Sequence, residues 1–296
     1  MGYYINDITS FSNIGFEKID FNFIDSPESQ EIKNPDSKHL QGKGLRFVPR
    51  TVRIMHNIIG EILEKNNLHV EKENLGIYNT NDICALEASI DFDQEIEDFG
   101  VKLANPMKIP YTLNGATAGW LAIRNKMNNV NLTVNSGRCG MISALNLIGL
   151  DFMDKETNQT IVLGAHFMGK MYRKYNQNTT FNKEIAVGML ASVEKTETSL
   201  IEILECRTMA YDKDYLETML NEGLGNNFVD SDYCINLENS REFKFIQSTS
   251  AQLSCLPFFI NNINTFIKEN TGEEYKYIII DKRGLMGYVI FRLTKP

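Results

Sequence analysis

The chain has 296 residues, 43% hydrophobic and 23% charged, and carries a net charge of −8 at pH 7. That length supplies one large domain or two fused ones with ample material for a core, in a composition ordinary for a globular protein. The acidic balance excludes nucleic acid as the main partner, because phosphate binding wants concentrated Lys and Arg.

Tyr3 to Ile8 reads as a strand and is followed by turn-rich sequence around Asp25-Ser26-Pro27 and Asn34-Pro35-Asp36. An amphipathic helix runs from about Pro49 to Asn66, with Val52, Met55, Ile59, Ile62 and Leu63 on one face. Arg46, Arg50 and Arg53 sit at its start and read as a solvated helix face, or as a patch greeting a phosphopantetheine or an acidic carrier protein. Leu75 to Asn79 reads as a short buried strand, and Glu87 to Lys102 as an acidic helix. Asn105-Pro106 and Ile109-Pro110 break the chain before a helix over Leu113 to Asn125. Its Gly115 to Gly119 face is very small, as close packing requires. Strands follow at Thr160 to Ala165, Glu184 to Val193 and Leu200 to Cys206, the last two expected as antiparallel neighbours. A helix over Asp214 to Gly223 leads into a polar linker, Gly225 to Glu242. A helix from Leu253 to Asn270 and strands Tyr275 to Asp281 and Gly287 to Leu293 close the chain, with the turn Lys282-Arg283-Gly284-Leu285-Met286-Gly287 between the strands. Strands interleaved with helices indicate an α/β protein with a mixed sheet covered on both faces.

The stretch richest in chemistry is Asn131-Leu-Thr-Val-Asn-Ser-Gly-Arg-Cys-Gly-Met-Ile-Ser-Ala-Leu145. Leu132, Thr133 and Val134 form a β-prone piece that turns at Ser136 and Gly137 into a helix carrying Met141, Ile142, Leu145 and Ile148 on one face. A sharp strand-to-helix turn exposes a side chain next to the free N–H groups and positive end of a helix, where a thiolate is stabilised. Arg138 and Cys139 stand side by side there. The structural alternatives are a small cysteine packing the helix start and an arginine forming an ion pair.

No basic start and apolar core of a signal peptide precede this, and no apolar run approaches the about 20 residues that cross a bilayer. No membrane association and a cytoplasmic location are therefore expected. The five cysteines are odd in number and scattered, without CxxC or Cys/His spacing, so neither a disulfide framework nor a metal site is expected. No phosphate-cradling glycine loop is present, and no cofactor is implied.

The order of these elements, with Gly44-Leu-Arg-Phe-Val-Pro-Arg50, Asn105 to Gly119, Asn131 to Val134, Thr160 to Ala165, Glu184 to Cys206 and Gly284-Leu-Met-Gly287, resembles a β-ketoacyl synthase of the thiolase-like superfamily. The resemblance implies a layered α/β fold of mixed sheets and covering helices, with residues 1–206 as a ketosynthase-like half. Residues 207–296 would be a shortened second half of one compact unit. In that family the strand ends in a cysteine that attacks the acyl thioester. Laid on the pattern without gaps, Arg138 takes the nucleophile's place and Cys139 follows it. Active members also use two histidines, which assist decarboxylation and stabilise the oxyanion. This chain has only His39, His56, His69 and His166, all upstream of where those should lie. The segment Gln247 to Gln252 offers none.

Three readings follow. The first is a catalytically silent subunit resembling a chain-length factor of a fatty-acid or polyketide-type pathway. It would pair with an active ketosynthase, engage its acyl carrier protein and contribute a tunnel wall from Arg138, Phe258, Phe259, Leu285 and Met286. Its dimer contact would run along Asn131, Leu132, Thr133 and Val134. The second is a divergent acyltransferase or condensing enzyme with Cys139 as nucleophile. The third is a homodimeric scaffold or binding protein that kept the fold and lost acyl chemistry.

Overall fold

The computed structural model describes residues 2–12, 15–17, 31–32, 39, 45–68, 74–80, 84–167, 184–221, 227–231, 244–246, 274–281 and 283–294. Eleven strands are joined in one sheet: β1 (Tyr3–Ser12), β2 (Gly15–Glu17), β3 (Gly76–Asn79), β4 (Asn131–Thr133), β5 (Gln159–His166), β6 (Ile185–Ser192), β7 (Ile201–Ala210), β8 (Asn227–Ser231), β9 (Lys244–Ile246), β10 (Glu274–Asp281) and β11 (Leu285–Leu293). Among the described residues the α-helices are α1 (Arg50–Lys65), α2 (Cys84–Phe99), α3 (Ala116–Asn125), α4 (Gly140–Asp154) and α5 (Lys213–Asn221).

The strand order is β4-β3-β5-β6-β1-β7-β11-β10-β8-β9, with β2 paired to β1. The sheet is two halves hinged at β1, whose first residues Tyr3, Tyr4 and Ile5 alone pair with β7. β1 pairs with β6 from Tyr4 to Ser12, with a register shift between Ile5 and Asp7, and its end, Ser10 to Ser12, also pairs with β2. The side chain of Asn6, at that shift, donates to the Glu194 carbonyl and accepts from Ser199 Oγ at 2.6 Å, so it fixes the segment connecting β6 to β7. The expectation that β6 and β7 are antiparallel neighbours is thus corrected. β1 runs antiparallel between them, and the connection crosses its end.

Side-chain alternation along the strands separates three apolar layers. One face of the first half-sheet, through Ile77, Ile161, Leu163, Ala186 and Leu190, packs on α1 and α3 through Ile54, Ile58, Ile59, Ile62, Ala118 and Leu121. Its other face presents Tyr78, Val162, Val187 and Met189 to α4. The second half-sheet presents Ile203, Tyr277, Ile279, Val289 and Phe291 to the same helix. The outer face of that half-sheet, through Ile278, Ile280, Met286 and Tyr288, is covered by Leu216, Met219 and Leu220 of α5. Helix, sheet, helix, sheet, helix is the resulting sequence of layers, and α4 is the inner one.

Most expected elements form, within a few residues at their ends. The polar stretch Gly225 to Glu242 departs from expectation, because it carries β8, which pairs in parallel with β10 through Phe228, Val229 and Asp230. Its Asn227-Phe-Val-Asp230 is too short and polar to stand out alone, and pairing with β10, which carries Tyr277, Ile278, Ile279 and Ile280, supplies what propensity lacks. The expected helix from Leu253 to Asn270 lies outside the described residues.

Arg50 also departs from its expected place on a solvated face. Its guanidinium is held by the wholly buried Glu184 at 2.5 and 3.1 Å, by Glu87 at 3.0 Å and by the Ile32 carbonyl at 2.8 Å, and it lies 5.8 Å from the Phe167 ring centroid. It is therefore not available to greet a carrier protein. Replacing Arg50 with Met should strand the Glu184 carboxylate and cost about 3–5 kcal/mol in urea unfolding. A loss below about 1 kcal/mol would show the pair to be dispensable.

Burial holds two histidines uncharged. His166, at the end of β5, has its pKa lowered to about 3 by desolvation. His56 is lowered to about 4 by desolvation first, and further by Arg124 and His39. Both values lie below that of an exposed histidine, so the unfolded chain takes up protons that the folded one does not. Stability should be full above about pH 6.5 and fall as pH drops towards 3, by at most about 1.4 kcal/mol per pH unit for each histidine. Urea titrations across that window should show the slope, and it should flatten in a His56→Gln, His166→Gln variant.

Candidate functional site

The candidate site forms where β4 ends. Val134 N donates to the Asn79 carbonyl at 2.8 Å, which carries the pairing of β3 and β4 one residue further. The chain then makes a single 3-10 turn over Gly137–Cys139 and enters α4 at Gly140. Gly137 has φ +53°, a backbone conformation favouring glycine, and this lets the turn bend sharply into the helix.

The turn is locked from across the molecule by the β10–β11 hairpin. Asp281, at the end of β10, accepts from the Arg138 amide at 3.3 Å and from the Arg283 amide at 2.8 Å. The Arg283 side chain completes the clamp, with Nε to Oδ1 at 3.0 Å and Nη2 to Oδ2 at 2.8 Å. Burial alone would raise the Asp281 pKa, but the donors from Arg283 and the Arg138 amide outweigh it and hold the carboxyl below its ordinary value. The Arg283 guanidinium lies so close over Gly137 that a Cβ there would fall 1.5 Å from its Nη2. A half-exposed cation therefore roofs the turn.

Beneath this roof both central residues are inside the protein. Arg138 is 2% exposed and Cys139 is 0% exposed. Cys139 belongs to the apolar layer between the half-sheets. A Cβ on Gly287 would stand 3.4 Å from its Sγ and 3.3 Å from the Ile142 Cβ, so β11 passes directly against the start of α4. The thiol is surrounded by apolar groups at a helix start already enclosed on both sides.

The other expected site residues fall in different places. Leu285 packs on the central layer close to the turn, whereas Met286 faces the opposite way, under α5. The two therefore do not line one wall. Phe258, Phe259 and the Gln247 to Gln252 segment lie outside the described residues. His166 is on the same face of its half-sheet as Val162, towards α4, and burial keeps it neutral. Asn131, Leu132 and Thr133 form the outermost strand, which pairs with β3 on one side and with no described strand on the other. Leu132 is 44% exposed there, while Val134 is buried in the central layer.

Sequence reasoning did not single out Asp281 or Asn79. Asp281 ends an apolar strand one residue before a basic turn, a pattern that hints at a charge clamp only once the turn's partner is known. Asn79 is fully buried, and neither of its side-chain polar atoms has a hydrogen-bond partner. It stands opposite Thr133, whose Oγ1 is likewise unpartnered.

No protein-family model matches the sequence, and neither does any of the curated proteins. Solved structures do. The ishigamide ketosynthase/chain length factor superposes with a TM-score of 0.70 at 14% identity over 99% of each chain. AntDE:AntF, a type II polyketide synthase acyl-carrier protein in complex with its ketosynthase, gives a TM-score of 0.72 at 12% identity, covering 98% of this chain and 99% of that one. A β-ketoacyl synthase from Burkholderia phymatum gives 0.70 at 8% identity over 99% of each. The chain has the layered α/β fold of the thiolase-like ketosynthases. At these identities the likeness is one of fold. Because the match spans 98–99% of this chain and 99% of each of these structures, the shortened second half expected from the sequence finds no support.

The clamp predicts a measurable coupling. Asp281→Asn removes the charge that gathers four donors and should cost about 1.5–3 kcal/mol. It should also speed the reaction of Cys139 with a disulfide reagent under native conditions, read as labelling of the Cys139 peptide. An unchanged labelling rate would mean that the hairpin does not guard the turn.

Proposed function

We propose that the chain serves a polyketide-type pathway as a ketosynthase-like subunit that is catalytically silent and pairs with an active ketosynthase. The observation that carries this reading is the nucleophile turn. Arg138, which the sequence register lays on the nucleophile's position, is buried, and the adjacent thiol is buried in an apolar layer between Gly287 and α4. Arginine remains protonated and cannot be usefully acylated. The thiol is 0% exposed and so shielded from an acyl thioester, and a cysteine nucleophile turns over well only with a base to take its proton and donors for the oxyanion. Decarboxylative condensation by this chain alone is therefore disfavoured. Its contribution would be a fold complementary to a partner's, with Arg138 and the β10–β11 hairpin shaping the end of an acyl tunnel.

The open edge of β4 supports pairing. An unpaired edge strand invites another strand. α3 packs on β4, and α2 and the 3-10 turn over Pro106–Thr112 pack on α3; this group of elements and their ends expose Phe99, Val101, Met107, Leu113 and Ile123. Such an apolar margin around an edge strand is the mark of a protein interface. The partner would be an active ketosynthase, with the carrier protein engaged through the pair. Self-association is the competing arrangement. Among the described residues no helix is long and apolar enough to cross a membrane.

Two experiments test this. Co-expression with the ketosynthase of its own pathway should yield a heterodimer by native mass spectrometry, and Leu132→Arg should abolish it while leaving the circular dichroism spectrum unchanged. Only homodimers in both cases would favour a scaffold. Incubation with acyl thioesters should leave Cys139 unmodified by intact-mass and peptide analysis. A stoichiometric acyl adduct on Cys139 would establish an enzyme and overturn silence.

A further inference from the structure

On α1, far from the turn, one imidazole and two carboxylates converge. His39 Nε2 stands 3.1 Å from Glu61 Oε2 and 3.8 Å from Glu64 Oε2. One ligand atom from each residue lies within 4.8 Å of the other two. Glu61 and Glu64 are three apart on α1, so they share a face of the helix. His39 comes from the segment before the helix and lies across Gly60, where a Cβ would fall 2.4 Å from the imidazole Cγ. An interior helical glycine costs about 1 kcal/mol relative to alanine, and here it makes the room that brings the ring up to the two acids.

We infer that His39, Glu61 and Glu64 form a three-ligand site for a divalent transition metal, with Zn2+ as the fitting ion. Imidazole with carboxylates is a donor set suited to zinc. Tetrahedral zinc with metal–ligand bonds of roughly 2.1 Å sets its ligand atoms about 3.4 Å apart, and the separations of 3.1 and 3.8 Å bracket that distance. The two carboxylates bring the negative charge that a dication needs, and the imidazole adds a neutral nitrogen ligand. Lys65 lies 3.9 Å from Glu61 Oε1, the oxygen turned away from His39. Glu64 is half-exposed, so the ion can enter from solvent and water can fill the open position.

The site would be structural. α1 covers the outer face of the first half-sheet, while the nucleophile turn opens on the inner layer. The metal would staple the segment carrying His39 to α1, independently of what the turn does in any acyl pathway.

The test uses the full-length chain, stripped of metal and dialysed against zinc chloride. The expected result is one retained equivalent of Zn2+, with a raised unfolding temperature. Cobalt substitution should give visible d–d bands without a thiolate charge-transfer band. His39→Gln and the Glu61→Gln, Glu64→Gln variant should each weaken zinc binding by roughly 100-fold or more. Gly60→Ala is the sharper probe, because it keeps all three ligands and displaces only the ring. It should weaken binding to a similar extent while leaving the helix folded. No retained zinc, a thiolate band, or binding that survives Gly60→Ala and the double glutamine variant would overturn the site.

Discussion

The inner helix α4 is enclosed by a sheet on each side, and the rest of the structure is arranged around that fact. A helix in such a position meets apolar surface all round, so it cannot carry the usual polar face. Met141, Ile142, Ala144, Leu145 and Ile148 answer that requirement. Two of the polar side chains along it, Ser143 and Asp151, are bound to flanking strands. Ser143 Oγ meets Thr208 Oγ1 of β7 at 3.0 Å, and Asp151 accepts from Tyr78 of β3. Tyr3 of β1, the strand common to both half-sheets, donates to the Leu145 carbonyl at 2.8 Å. The helix is thereby tied to both halves and to their hinge. Its first residues are closely held, and β11 passes them with a glycine, where an added Cβ would stand 3.1 Å from Ile142 Cδ1.

That rigidity decides what the turn before the helix can do. A nucleophile elbow works when the side chain at its tip reaches an open pocket and the helix start behind it lends its N–H groups. Here the helix start is closed by Ile142 and Gly287, and the tip is covered by Arg283 held on Asp281. The Asp281 carboxylate at the turn is spent on binding four donors, and its lowered pKa reflects that. It is therefore a poor base at neutral pH. His166 is neutral but buried at the end of β5, where desolvation opposes its taking up a proton. Of the described residues, Asp281 is thus committed and His166 sealed.

Periodicity made the long elements legible. The apolar stripe of α1, the alternation of β10 and β11 and the strand-turn-helix at 131–148 could all be read from spacing, because burial on one or two faces writes itself into composition. Lateral order could not be read. Nothing in Tyr3 to Ser12 says that this strand inserts between β6 and β7, since pairing depends on backbone groups that every sequence possesses. β8 was hidden for a related reason, its strand being stabilised by the neighbour rather than by its own residues. At the site, Arg138 and Cys139 could be named from their place after an apolar strand. The clamp could not, because Asp281 lies 143 residues from the amide it accepts. The fate of Arg50 was equally illegible, since its partner Glu184 is 134 residues away.

β4 joins the two halves of the functional argument. It is three residues long, it is the outermost strand, and its next residue, Val134, already belongs to the central layer. A partner strand laid on its free edge would order the segment that leads into the turn. The unpartnered Asn79 and Thr133 stand on this same strand pair, so a second chain docking at the edge would adjoin buried polar groups whose hydrogen-bonding needs are unmet. Buried polar groups of that kind are costly unless something satisfies them. Under the proposed pairing, this open edge backed by unmet polar groups is where association would complete the fold. A rigid turn immediately behind that edge would then transmit shape, rather than chemistry, from this chain to its partner.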